Sequence, residues 1–109
     1  MQKIGVFGGT FDPVHKGHVR LAQLFIKELS LDRLLVIPAK IPPHKLGKEI
    51  TPAEKRLEMC HLAFDPVPRA EVSTIELDSS EVSFTSITVQ RLKGQYPDSQ
   101  LYLCLLYTS

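Results

Sequence analysis

Residues 3–18 read KIGVFGGTFDPVHKGH, and the order of features inside them decides the fold. Lys3 to Phe7 are mostly apolar and bounded by glycines, which predicts a short buried strand. Gly8-Gly9-Thr10-Phe11 then form a turn, and a helix is predicted to begin near residue 16. A strand that passes through glycines into a helix leaves unpaired backbone N–H groups at the strand's carboxyl end. Open α/β sheets take their ligands there, so the turn suits an anion; a tight turn with no ligand is the plainer alternative. The pattern is neither G-x-G-x-x-G nor G-x-x-x-x-G-K-[ST], so neither a dinucleotide fold nor a P-loop ATPase is supported.

Outward from that stretch, a helix is predicted over 16–29. Val19, Leu21, Ala22, Leu24, Phe25, Ile26 and Leu29 make its apolar face, with Lys16, Arg20, Gln23, Lys27 and Glu28 off it. RLLVIPA, residues 33–39, reads as a second apolar strand that Pro38 ends. Strand, helix and strand, with both strands apolar throughout, predict a parallel sheet covered on both faces and hence an α/β fold. KIPPHKLGKEI, residues 40–50, has no period and reads as a loop. TPAE at 51–54 has the pattern of a capping box, with Thr51 at the N-cap, Pro52 at N1 and Glu54 at N3. The helix it opens is predicted to run to about Phe64 through Leu57, Met59, Cys60, Leu62 and Ala63. AEVSTIEL, residues 70–77, alternates as a strand, with Val72 and either Ile75 or Leu77 inward. A further helix is expected from Thr85 to Lys93, stopped by Gly94 at C′. PDSQLYL then opens another apolar strand, expected to run through Cys104 and Leu106.

At 109 residues, one domain is expected. No apolar run approaches the roughly 20 residues that span a bilayer, so no membrane partner is expected. MQKIGVFGG lacks the regions of a secretory signal, which predicts a cytoplasmic protein. Cys60 and Cys104 have no metal-ligand spacing and are expected to be free thiols. Thirteen basic and 12 acidic residues are interspersed along the chain. Nucleic-acid binding usually needs a clear basic excess, so a nucleic-acid partner is not expected and any basic group that matters acts locally on a small anion.

Histidines 15 and 18 sharpen that expectation. Residues three apart at a helix start share a face, so both imidazoles can meet the space before the glycine turn, while Gly17 lets a bulky ligand approach the backbone. Two ring N–H donors facing a phosphate is the favoured reading. A surface pair of histidines and half of a zinc site are the alternatives. Zinc would need two further ligands, and His44 and His61 lie in a loop and a helix with no identifiable cysteine or carboxylate partner, so no metal site is assigned.

GGTFDPVHKGH resembles the H-x-G-H signature of the nucleotidyltransferase superfamily. Extended through Phe11-Asp12-Pro13, it resembles bacterial nicotinate-nucleotide adenylyltransferases, and the resemblance runs from residue 3 to about 103. The family's proline-rich loop is matched by IPPHK with His44 and Lys45. Its helix with an early arginine is matched by EKRLEM with Arg56 and Met59, and its Ser-aromatic-Thr element by Ser83-Phe84-Thr85. Pantetheine-phosphate adenylyltransferases, a neighbouring branch, have threonine where this chain has His15.

The resemblance implies a Rossmann-like nucleotidyltransferase fold and transfer of AMP from ATP to nicotinate mononucleotide, releasing pyrophosphate. His15 and His18 are the implied catalytic residues. Gly8, Gly9, Thr10, Phe11, Gly17, His44, Lys45 and Thr85 are the implied substrate-binding residues, and Mg²⁺ is expected as the chelate of ATP. Lys45 reads more readily as a solvated loop lysine, and Thr85 equally as a helix N-cap. A non-catalytic nucleotide-binding module is the rival from another class. Within enzymes the rivals are transferases acting on nicotinamide mononucleotide or phosphopantetheine. The sequence specifies no oligomeric state.

The family pattern continues with a Gly-x-Asp element after the strand that begins at Leu101, an aromatic pair that stacks on the pyridine ring, and a late S-T-x-x-R motif. Here LYL is followed by CLLYTS. Those six residues match the in-frame translation of a transposase sequencing adaptor, TGT CTC TTA TAC ACA TCT. Residues 1–103 are therefore expected to be the N-terminal part of a single domain in a longer protein. Residues 104–109 are expected to be a foreign tail, and the 109-residue chain alone is expected to be inactive.

Overall fold

A computed structural model describes residues 2–9, 11, 14–39, 52–77 and 85–105, with the backbone alone for 85–88 and 104–105. The elements in chain order are β1 (Gln2–Gly9), α1 (Lys16–Glu28), β2 (Arg33–Pro38), α2 (Ala53–Phe64), β3 (Ala70–Val72), α3 (Thr85–Gln95) and β4 (Ser99–Leu105). The four strands form one sheet in the order β3-β2-β1-β4, and every pair is parallel. The expected α/β class holds.

Alternation along the strands sorts the core into two layers. Phe7 of β1 and Leu34 and Val36 of β2 pack with Ala22 of α1 and with Cys60 and Phe64 of α2. On the opposite face, Ile4 and Val6 of β1 and Leu35 and Ile37 of β2 pack with Leu92 of α3. Both faces are buried, which is why the two strands read as unbroken apolar runs. Gly5 is required in the first layer: a Cβ there would lie 2.5 Å from Leu31 Cδ1 and 2.7 Å from Leu34 Cδ1.

From β1 through β2 to β3 the chain steps one way across the sheet, with α1 and α2 on one face. After β3 it returns past β1, with α3 on the other face, and lays β4 along β1's free side. The strand order therefore reverses between β1 and β4. In open parallel sheets the crevice outside the carboxyl ends of such a strand pair is where ligands bind.

Four boundaries differ from the sequence reading. The N-cap of α2 is Pro52 with no side-chain cap bond, so the helix begins at Ala53 and the expected capping box is displaced; Thr51 lies outside the described residues. Lys55 and Arg56 N–H both donate to Pro52 O, at 3.0 and 3.1 Å, and make the first turn without a side-chain acceptor. β3 ends at Val72 rather than 77. Ser73 N–H still donates to Val36 O at 2.8 Å, after which the chain turns away and Ile75 packs into the α3 layer. Gly94 does not stop α3, which continues to Gln95, with Tyr96 N–H bonded to Leu92 O; Pro97 makes the end, because the residue before a proline resists helical dihedrals. α1 ends at Glu28, with Leu29 as its C-cap. The predicted loop at 40–50 and Leu106 lie outside the described residues.

Candidate active site

The carboxyl ends of β1 and β2 lie level: Gly8 pairs with Ile37, Gly9 with Pro38, and Ala39 N–H donates to Gly9 O at 2.8 Å. On β1's other side Gly8 pairs with Leu105 of β4. Gly8 and Gly9 are partly exposed at this edge. Thr10 lies outside the described residues. Phe11 adopts φ 51°, a left-handed conformation that bulky residues rarely take. Its ring is only 3% exposed and sits edge-on to Phe7 and Phe64 at centroid distances of 5.4 and 5.9 Å. Phe11 was expected among the substrate contacts. Its side chain belongs to the core, which leaves its backbone as the part available to a ligand.

His15 is the N-cap of α1, with extended dihedrals of φ −140° and ψ 176°. The two histidines cap the helix reciprocally. His15 Nδ1 accepts from Gly17 N–H at 3.1 Å, and His18 Nδ1 accepts from His15 N–H at 3.1 Å. Their rings stack with centroids 3.9 Å apart and a 31° tilt. The His18 ring also rests on the Phe11 ring, 5.2 Å away, so the strained aromatic supports the second histidine from below. A ring nitrogen facing a backbone N–H carries no proton, so in both neutral imidazoles the proton belongs on Nε2. Burial, then the neighbouring His15, holds the pKa of His18 below its ordinary value and favours that neutral form.

The first turn of α1 contains no acidic residue and includes Lys16. A helix N-terminus favours negative charge, and here no side chain of that turn provides it. Beside His15, a groove of about 430 Å³ runs between α1 and α2, lined by Val14, Lys16, Val19, Met59, Leu62 and Ala63.

The structure thus brings Gly8, Gly9, Phe11, His15, Gly17 and His18 to one edge of the sheet. His44 and Lys45 lie outside the described residues, as does the side chain of Thr85, which opens α3. The sequence reading matched Arg56 to the family's early helical arginine but gave it no role; it is 2% exposed and donates from Nη1 to Ala39 O at 2.6 Å, just beyond β2. The 56, 60, 64 spacing on α2 was the available signal, since Arg56, Cys60 and Phe64 form its buried stripe while Leu62 is 75% exposed. Burial pushes the Cys60 thiol up to about 12 against the opposing pull of Arg56, which leaves it a poor nucleophile. His61, read as lacking a carboxylate partner, has one: its Nδ1 lies 3.0 Å from Asp65, one turn on and exposed.

Residues 6–104 match the cytidylyltransferase-like family. The chain belongs to that family. Several relatives of this cytidylyltransferase-like chain carry a more specific name. A protein of Geobacillus thermodenitrificans named as a probable nicotinate-nucleotide adenylyltransferase is 41% identical over 96% of this chain and 49% of its own length. A Bacillus subtilis protein named nicotinate-nucleotide adenylyltransferase is 39% identical over 96% of this chain and 56% of its own length. Among solved structures, Plasmodium falciparum nicotinic acid mononucleotide adenylyltransferase complexed with NaAD superposes with a TM-score of 0.77 at 19% identity, over 94% of this chain and 51% of that one. The same enzyme complexed with APC gives 0.73 at 18% identity, over 94% and 50%. The fold is the Rossmann-like nucleotidyltransferase fold. The chain spans about half the length of the curated relatives it matches.

Proposed function

We propose that the protein transfers AMP from ATP to nicotinate mononucleotide, giving nicotinate adenine dinucleotide and pyrophosphate. The observation that carries this reading is the reciprocal cap, which leaves the Nε2–H of both His15 and His18 as donors at the carboxyl end of β1. The names of the relatives support the choice of acceptor. A phosphate oxygen of the mononucleotide attacks the α-phosphorus of ATP, the bond from that phosphorus to the bridging oxygen breaks, and pyrophosphate leaves with the electron pair. The attacking oxygen is already ionised at neutral pH, so no general base is needed, and the barrier lies in charge and alignment.

Two imidazoles whose Nδ1 atoms are held by the helix backbone suit that task, because their Nε2–H groups donate hydrogen bonds to the phosphoryl oxygens as charge moves. We assign the backbone of Gly8, Gly9, Thr10 and Phe11 to the phosphates as well, with Gly17 beside them. His44 and Lys45 are assigned to the phosphates from the segment after β2, and Thr85 to the nicotinate from the head of α3. Mg²⁺ enters as the ATP chelate, held by phosphate oxygens and water. Among the described residues no group of three or more His, Cys, Asp or Glu side chains gathers as a metal site. Residues 1–103 are assigned to the N-terminal part of one nucleotidyltransferase domain, which the half-length match to the relatives supports, and 104–109 to a foreign tail on the adaptor match alone. The cytoplasm, where ATP is plentiful, is the assigned compartment; among the described residues no helix is long and apolar enough to cross a membrane.

The test is incubation of the full-length protein with ATP and, separately, nicotinate mononucleotide, nicotinamide mononucleotide and phosphopantetheine. Pyrophosphate release with the first acceptor is expected. Turnover with another acceptor alone would reassign the substrate, and ATP binding with no turnover on any of them would make the protein a binding module.

A further inference from the structure

Gly17 is the second residue of α1, exposed, and its φ lies outside the left-handed region, so its backbone is open to any residue. Glycine is among the least favourable residues in a helix, and neither its dihedrals nor core packing requires it at this position. The neighbour that does require it is His15. A Cβ on residue 17 would lie 2.8 Å from His15 Cε1 and 3.0 Å from His15 Nδ1, well inside the roughly 3.5 Å at which uncharged heavy atoms come to rest. The imidazole occupies the space of the missing side chain, and it does so in order to reach the N–H of that same residue.

We infer that Gly17 is a positioning residue for the His15 imidazole: its bare Cα lets the ring fold back over the first turn of α1, which fixes Nδ1 as the acceptor and Nε2 as the proton-bearing donor. A methyl group on residue 17 leaves the backbone path unchanged, because the obstructing atoms belong to a side chain that can rotate. The ring swings out, Gly17 N–H loses its acceptor, and the tautomer loses the contact that set it. His18 keeps its own bond from the His15 backbone N–H, so the effect falls on one histidine. The glycine of the motif thus serves the histidine two residues before it as well as any ligand. The inference deepens the phosphate role proposed for His15 and rests on that reading for its catalytic consequence, whereas the geometry is tested without any ligand.

Long-range ¹H–¹⁵N spectra of the histidine rings, recorded on the full-length protein above neutral pH, report which ring nitrogen carries the proton. In the parent protein both His15 and His18 are expected as Nε2–H tautomers. In Gly17→Ala, His15 is expected to become a mixture of tautomers while His18 stays as it was. Thermal melts give a second readout through the His15→Asn background, since asparagine caps a helix without a ring in the way. There Gly17→Ala is expected to raise Tm, as helix propensity dictates, whereas with His15 present the same change fails to raise it. Unaltered His15 nitrogen shifts in Gly17→Ala, or an equal rise of Tm in both backgrounds, would overturn the inference. If adenylyl transfer is absent and the spectra respond as stated, the proposed activity fails and the positioning role stands.

Discussion

Arg56 and Ala39 are joined by a 2.6 Å hydrogen bond from the guanidinium Nη1 to the backbone carbonyl, with the arginine buried beneath it. The bond ties the second turn of α2 to the residue that follows β2, and so holds the carboxyl edge of the sheet at the site. Arg56→Ala removes a buried charge-assisted bond and leaves a cavity, so a loss of about 2–4 kcal/mol is expected in urea unfolding. Arg56→Lys should recover less than half of it, because an ammonium lacks the planar fork. A loss under about 0.5 kcal/mol, the size of an ordinary surface substitution, would mean that the guanidinium holds nothing.

Stability should depend on pH through His18. Its folded pKa is lowered, first by burial and then by His15, so between its ordinary and folded values the unfolded chain binds more protons than the folded one. The contribution is complete above about pH 6.5, the unfolded value, and is lost as pH falls through the folded one. The urea midpoint is expected to be flat from pH 8 to 7 and to decline below 6.5, with His18→Gln losing part of that decline. Parallel profiles for the two proteins would remove His18 from the effect.

For catalysis, His18→Ala in the full-length protein should lower kcat about a hundredfold with little change in KM, because a donor aimed at the reacting phosphate acts mainly in the transition state. An unchanged kcat in steady-state assays would take this histidine out of the chemistry.

Gly5→Ala should cost about 1–3 kcal/mol through overpacking against Leu31 and Leu34. Leu31→Ala alone should cost about 2–5 kcal/mol. The double variant is expected to lose less than the sum, since each change relieves the other. Strict additivity in denaturant titrations would show that the two side chains do not share the space.

Genomic sequence read past codon 103 should depart from CLLYTS and continue an open reading frame. A stop codon directly after those six residues in the genome, or measurable adenylyl transfer by the purified 109-residue chain, would refute the reading of this chain as a truncated part of a longer enzyme.

The sequence made β1, β2 and α1 legible because each carries one unambiguous period, a continuous apolar run or a broad apolar stripe. It did not reveal the buried side of α2. Leu57, Met59, Cys60, Leu62 and Ala63 were read as continuing the helix, of which Cys60 is buried and Leu62 is open to solvent, while a charged residue is buried beside Cys60. Hydrophobicity could not reveal that, since Arg56 is stable inside through a carbonyl 17 residues away. β3 was overestimated because alternation persists in the sequence after the chain has left the sheet. At the site, spacing placed His15 and His18 on one face. Their mutual capping stayed hidden because histidine is not a usual N-cap and the arrangement depends on ring rotation. Phe11 looked like a ligand contact from its place in the motif, and only its packing under His18 shows the core role of the ring.

The register of the last strand carries a consequence for how the chain acquires its shape. Gln2 pairs with Ser99 and Val6 with Leu103, so β1 completes its ladder on this side only with the strand that follows α3. The unit from β1 to β3 closes by short steps between consecutive strands, whereas the junction of β1 with β4 must close a loop that contains β2, β3 and all three described helices. The histidine cap, made within four residues, can form as soon as α1 does. During synthesis the donors are therefore in place before the crevice they face, and the step that slows folding is the one that builds the second wall. Substitutions on β4 should accordingly act on the refolding rate, while those in the cap should leave it unchanged.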